Sequence, residues 1–273
     1  MKDISISDYK TFLMLDEKSD NTIKKYIRDT ERFLKSLKGK KFTKQEVINY
    51  KNSLLNSYEV TSVNSYLAAI NKYLDFIKKP ELKVKYLRIQ QTSYSDENNI
   101  LTINDYYALC NATKENSREH LILNTICSTG IRVSELEFFT VEAIKKGHVE
   151  IMNKGKIRRI IIPEKLKIKL LKYAATKHIV LGPIFITRYG NPIDRGYIWK
   201  MLKKLAIKAQ IDTKKVYPHN LRKLFARQFY EKKKDVVKLA DVLGHSNMNT
   251  TRIYLKQTEK GHKKIIDILN LVY

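Results

Sequence analysis

The sequence predicts a mainly α protein with one small antiparallel β-sheet, divided into a helical N-terminal domain and a larger mixed domain. Three observations carry this reading. Apolar residues recur at helical spacing along most of the chain, the spacing changes to strand-like alternation once, around a Gly-containing turn, and a polar stretch without periodicity separates two apolar blocks. At 273 residues with 43% hydrophobic side chains, the chain can bury a core in each of two domains.

The elements follow in order. From Thr22, Ile23, Tyr26, Ile27, Thr30, Phe33, Leu34 and Leu37 form one helical stripe. Thr43 and Glu46, in "TKQE", have the spacing of a capping box and open a helix that runs to about Leu55. Val63, Tyr66, Leu67, Ile70, Tyr73, Leu74 and Ile77 make the next stripe, and Pro80 stops it. Residues 1–80 are therefore expected to form a helical domain. A linker is expected over 81–99, where "QTSYSDENN" is polar and acidic, and a second domain over 100–273. That domain opens with two helices broken by "ATKENSRE". "HVEIM" and "IRRIIIP" then flank the turn "NKGK" as a β-hairpin, with Gly155 free to take the awkward turn angle. Helices return around 164–175, 194–209, 219–233 and 235–242. The tail "GHKKIIDILNLVY" gathers Ile265, Ile266, Ile268, Leu269 and Val272 on a short apolar helix.

Charge narrows the partner. Lys and Arg number 53 against 28 Asp and Glu, a net charge of +25. Such an excess repels itself unless a polyanion neutralises it, which points to nucleic acid. A membrane is the weaker reading, because no apolar run approaches the roughly 20 residues that a span requires. The opening "MKDISISDYK" lacks the apolar region of a signal peptide. Two cysteines, Cys110 and Cys127, suit a reducing, cytoplasmic setting, and the six histidines show no zinc spacing.

The chemistry-bearing residues fall in the second domain. "STGIRVSELE" places Arg132 after a Gly-containing break, with Glu135 one helical turn on, and "YPHNLRK" places His219 and Arg222 a turn apart. Each pair alone is ordinarily a structural ion pair, a cap or a packed ring. The ensemble of Arg132, Lys154, His219, Arg222, His245 and Tyr254 suits phosphoryl transfer without a metal. Two guanidiniums can grip the non-bridging oxygens of a phosphodiester and stabilise the charge of its pentacoordinate transition state. Imidazole can hydrogen-bond the phosphate or move a proton near neutral pH. A lysine on a hairpin turn can protonate a leaving oxygen, and a phenol flanked by cations becomes a competent nucleophile.

These segments resemble the tyrosine recombinases, the Xer, Cre and phage-integrase family. "TGIRVSEL" is similar to the family's first arginine segment and "KGKIRR" to the hairpin bearing its lysine. "HNLRKLFA" is similar to its His-x-x-Arg segment, and "LGHSNMNTTRIY" to its LGH…T…Y ending, with the same His-to-Tyr interval. "FITRYGNPIDRGYIWKMLKKLAIKAQI" matches the stretch that precedes the His-x-x-Arg segment, and the N-terminal helices resemble the family's core-type DNA-binding domain. The resemblance implies a two-domain clamp around duplex DNA. Tyr254 would attack the scissile phosphate to form a 3′-phosphotyrosyl link. Arg132 and Arg222 would activate the phosphate, with Glu135 bracing the site. His219 would assist proton transfer, His245 would hydrogen-bond the phosphate, and Lys154 would protonate the departing 5′ oxygen. The hairpin is one residue longer before Pro163 than the family pattern, so Lys156 is a rival for the role of Lys154. Lys256 stands where many relatives carry a second His.

The resemblance further implies that no cofactor, ATP or metal is needed. Double-stranded DNA carrying recombination sites would be the partner. Four protomers would assemble on two sites from a monomer without DNA, and the protein would be cytoplasmic and associated with the nucleoid. In the family a C-terminal helix docks on a neighbouring subunit, with docking on its own domain the alternative here. No arm-binding domain is visible ahead of the first helices, which leans toward simple Xer-like or invertase-like systems. Two other readings stay open: a type IB topoisomerase, which rejoins the same strand, and a relative that occupies DNA without cutting it. The DNA sequence recognised, and the choice among integration, excision, inversion and resolution, are not written in the chain.

Overall fold

In the computed structural model, residues 5–37, 39, 42–88, 99–153, 156–244 and 247–255 are described. The chain divides into two compact units, Met1–Gln91 and Thr92–Tyr273.

The first unit is helical. It comprises α1 (Ile6–Leu15), α2 (Asp20–Ser36), α3 (Lys44–Leu55), α4 (Val60–Phe76) and a 3₁₀ turn at Pro80–Leu82. Its core joins Phe33 of α2 and Val63, Leu67, Ile70 and Leu74 of α4, from the apolar faces that the spacing predicts, with Val47, Tyr50 and Leu54 of α3. The Thr43 hydroxyl caps α3 by accepting the Glu46 N–H. Helix α1, which the sequence reading does not anticipate, seals one end by burying Tyr9 and Leu13 against Ile23 and Tyr73. The extended chain after the 3₁₀ turn stays with this unit. Asn71 pairs with both backbone groups of Val84, and Asn64 with both of Leu87, so two α4 amides take the place of a neighbouring strand.

The second unit contains α5 (Ile103–Asn111), α6 (Arg118–Thr129), a 3₁₀ turn at Val133–Phe138 and α7 (Val141–Lys146). The hairpin β1 (His148–Asn153) and β2 (Lys156–Ile161) follows, and then α8 (Glu164–Thr176), α9 (Arg195–Lys208), α10 (Pro218–Lys233), α11 (Val236–Leu243) and α12 (Met248–Tyr254). The strands pair antiparallel with Val149 opposite Ile160 and Ile151 opposite Arg158. This face turns inward, burying Val149, Ile151 and Ile160, while Met152, Ile157 and Ile161 of the other face are exposed. Its main core runs from Leu101 through α6, the hairpin and α8–α10, and a smaller cluster joins Ala226, Leu239, Leu243 and Tyr254. No described helix is long and apolar enough to cross a membrane.

Two helix ends lie close to other elements of this unit. Helix α6 stops at Gly130 in the left-handed conformation, φ 63°, where a Cβ would overlap the Phe225 ring on α10. Helix α11 stops at Gly244, φ 64°, where a Cβ would overlap the Arg158 side chain arriving from β2. Glycine at both positions satisfies a backbone angle and a close approach together.

Candidate active site

The two glycine-ended helices present backbone carbonyls to one buried cation. Arg222, in α10, is 1% exposed; its Nη1 donates to the Gly130 carbonyl and its Nη2 to the Leu243 carbonyl at 2.7 Å. Both acceptors sit at helix C-termini, where the backbone dipole favours positive charge. Burial, and then the neighbouring Arg132, push the Arg222 pKa down to about 10, while nearby Tyr254 acts the other way. The guanidinium therefore stays charged at neutral pH, although it lies away from water.

Arg132 leaves the α6 terminus and enters the following 3₁₀ turn. Glu135 holds it twice, accepting its backbone N–H at 2.8 Å and its Nη1 at 2.9 Å. The Glu135 carboxylate is almost fully buried, and it also accepts Arg158 Nη2 at 3.0 Å. The Arg132 side chain remains 40% exposed, so part of its donor fork faces outward.

His219 lies in the first turn of α10, one residue after Pro218 at the N1 position. Its ring is open on one side and meets Tyr254 edge-on, with centroids 5.0 Å apart and planes at 80°. Desolvation, then the charges of Lys223, Arg222 and Arg132, lower its pKa, which favours neutral imidazole at pH 7. Tyr254 ends α12 and is 7% exposed; it packs with Ala226 of α10 and with Leu239 and Leu243 of α11.

Arg132, His219 and Arg222 line a pocket of about 420 Å³ with Arg195, Trp199 and Lys203 of α9. Among the described residues that line it, four are Arg or Lys and none is Asp or Glu. Such a cavity stabilises an anion, and its donors match the non-bridging oxygens of a phosphodiester. Among the described residues, no group of three or more His, Cys, Asp and Glu side chains could hold a metal ion.

Of the residues singled out from sequence, the structure thus brings Arg132, Glu135, His219, Arg222 and Tyr254 together. Lys154 and His245 lie outside the described residues, as do Gly155, Lys256 and the apolar tail. Lys156 opens β2 opposite Asn153. The sequence reading missed Arg158 and the α9 wall. Arg158 stands in "KGKIRR" next to Arg159, and only the strand register separates the two. Arg195, Trp199 and Lys203 recur four residues apart on a helix, which places them on one face.

Residues 96–260 match the model of the phage integrase family. Over 289 aligned residues, the chain is 29% identical to the tyrosine recombinase XerD of Staphylococcus saprophyticus, spanning 96% of this chain and 97% of that one. It is 28% identical to the tyrosine recombinase XerA of Pyrococcus furiosus, over 98% of this chain and 94% of that one. Its fold is similar to the crystal structure of a lambda integrase dimer bound to a COC′ core site, with a TM-score of 0.71, 17% identity, and coverage of 91% of this chain and 93% of that one.

Proposed function

The chain belongs to the phage integrase family, the tyrosine recombinases, and on that premise we propose that Tyr254 is the nucleophile with which it cuts and rejoins DNA. The protein is a site-specific recombinase. In the proposed course the Tyr254 hydroxyl oxygen attacks the scissile phosphorus. The bond to the 5′ oxygen breaks and a 3′-phosphotyrosine forms. Arg132 and Arg222 hold the non-bridging oxygens as charge builds on them. Neutral His219 accepts the phenolic proton, and Lys154, with Lys156 as the alternative, gives a proton to the leaving 5′ oxygen. The 5′ hydroxyl of the partner strand then attacks the phosphotyrosine and releases Tyr254. The energy of the broken bond is kept in the covalent link.

The observation that carries this assignment is the edge-on packing of Tyr254 against His219, with ring centroids 5.0 Å apart, beside buried Arg222. A cation to hold the phosphate, next to a neutral base, is what an attacking tyrosine requires. The +25 charge supports duplex DNA as the partner. In this reading the helical unit binds DNA as a core-type domain and the second unit performs the chemistry. Four protomers assemble on two sites, His245 adds a hydrogen bond to the phosphate, and the protein works in the cytoplasm on the nucleoid.

The function is tested with a plasmid carrying two copies of the duplex that the protein selects from a randomised pool. Deletion or inversion between the copies is the expected product. Relaxation of a supercoiled plasmid lacking that site, with no recombinant from the two-site plasmid, would instead identify a topoisomerase-like activity.

A further inference from the structure

Arg158 lies on the inner face of β2 beside buried Ile160, and its side chain is only 13% exposed. A guanidinium there is costly to bury unless its donors are used. Both terminal nitrogens are. Nη2 donates to Glu135, whose carboxylate also holds the backbone N–H and guanidinium of Arg132. Nη1 donates to the Leu243 carbonyl, which also accepts Arg222 Nη2. Arg158 thus shares one acceptor with each of the two arginines that face the pocket. Its path to Leu243 exists because residue 244 is glycine: any Cβ there would occupy the space of the Arg158 side chain. Repulsion among three guanidiniums adds to the cost, since both Arg132 and Arg158 act on Arg222. A merely stable packing would be met as well by an apolar residue on this face, as at Val149, Ile151 and Ile160.

We propose that Arg158 is a positioning residue that sets Arg132 and Arg222 at the separation the scissile phosphate requires, through Glu135 on one side and the Leu243 carbonyl on the other. This inference rests on the recombinase reading above. It also gives a physical role to the hairpin's own strand, distinct from any lysine at its tip. The strand carries the third guanidinium, which together with Arg222 ties the α6 terminus, the following 3₁₀ turn and the α11 terminus into one frame.

The test compares Arg158→Ala and Arg158→Lys with the unaltered chain on a nicked duplex chosen by the protein from a randomised pool. The duplex carries either the native scissile phosphate or a methylphosphonate, which removes one negative oxygen. Alanine removes both tethers. Lysine keeps a charge beside Glu135 so that the fold is retained, but one ammonium cannot serve both acceptors. With the native phosphate, Arg158→Ala should form covalent adduct on the order of 10²-fold more slowly, the scale of a misplacement of about 1 Å at a reacting centre. Arg158→Lys should fall between Ala and the unaltered chain. Half-site binding should be retained, because Arg158 is buried. With the methylphosphonate there is less charge for the two arginines to hold, so the gap between each variant and the unaltered chain should shrink markedly. Equal fold-losses on both substrates, or a native rate for Arg158→Lys, would overturn the proposal. Tyr254→Phe is run alongside. If the unaltered chain itself forms no Tyr254-dependent adduct, the recombinase reading has failed rather than the role of Arg158.

Discussion

Asp29 in α2 and Glu135 in the second unit are buried to a similar depth, 1% and 5% exposed, and each meets two cationic side chains. Their surroundings differ. The partners of Asp29, Lys25 and Arg28, come from its own helix. Arg28 is largely in solvent, and Lys25 also donates to the Ser65 carbonyl of α4. This is a staple between two helices, with its spare donors in water. The partners of Glu135 come from different parts of the chain, Arg132 from the α6 terminus and Arg158 from β2. Arg132 then faces a pocket whose described lining holds further cations and no carboxylate. A buried ion pair becomes a site when its remaining donors converge on a shared void, and the two carboxylates separate these cases within one molecule.

The largest expected effect lies at the centre of the second cluster. Arg222→Lys replaces a fork that spans two helix-terminal carbonyls with a point charge. Adduct formation on a nicked duplex should fall by about 10²–10³, the scale seen when a transition-state donor is removed. Near-normal cleavage would place Arg222 outside the phosphate-binding group.

The two carboxylates can then be set against each other. Glu135→Gln keeps the volume but weakens the hold on Arg132 and Arg158. Cleavage should slow by about 10–100-fold, as when outer supports of other reactive centres are lost. Asp29→Asn should leave the cleavage rate unchanged and lower the unfolding free energy by about 1–3 kcal/mol, the range for a charged hydrogen bond. Denaturant melts and single-turnover cleavage on both variants check this. Equal kinetic effects would erase the distinction between staple and site.

A smaller effect concerns pH. His219 has its pKa lowered, first by burial and then by Lys223, Arg222 and Arg132, so the free enzyme keeps a neutral ring until the pH falls below the ordinary histidine range. As a proton acceptor the ring is active above that lowered value and lost as pH falls through it. The acid limb of single-turnover cleavage at subsaturating DNA should therefore lie below about 6.5, and His219→Gln should remove the limb. A limb at or above the ordinary value, or one that survives in His219→Gln, would assign it to another group.

Much of this was legible in the sequence because local signals and function coincide. The stripes of Phe33, Val63 and Leu67 are buried as their spacing predicts, and the hairpin falls where the period changes. Arg132, Glu135, His219, Arg222 and Tyr254 were singled out through ordered motifs in three separate segments, and the structure brings them together. Helix α1 was missed because within its ten residues only Tyr9 and Leu13 are fully buried, with Phe12 packed beside them, too brief a stripe to read. Arg158 was missed for a different reason. In "KIRR" nothing tells which of two adjacent arginines turns inward until the register pairs Arg158 with Ile151 and leaves Arg159 beside Glu150 at the surface. The double use of the Leu243 carbonyl was likewise invisible, since it joins residues 158, 222 and 243 through the fold alone.

The central claim is that the Tyr254 phenol beside Arg222 and His219 is the attacking group, and trapping that attack tests it most directly. The protein is incubated with a nicked duplex from which the cut 5′ fragment diffuses away, so that covalent DNA–protein adduct accumulates, and the adduct is digested to locate the modified peptide. The account predicts a DNA-linked peptide containing Tyr254, and a Tyr254→Phe variant that still binds the duplex and forms no adduct. Normal adduct from Tyr254→Phe, or DNA linked to a peptide containing Tyr230 or Tyr273, would contradict it.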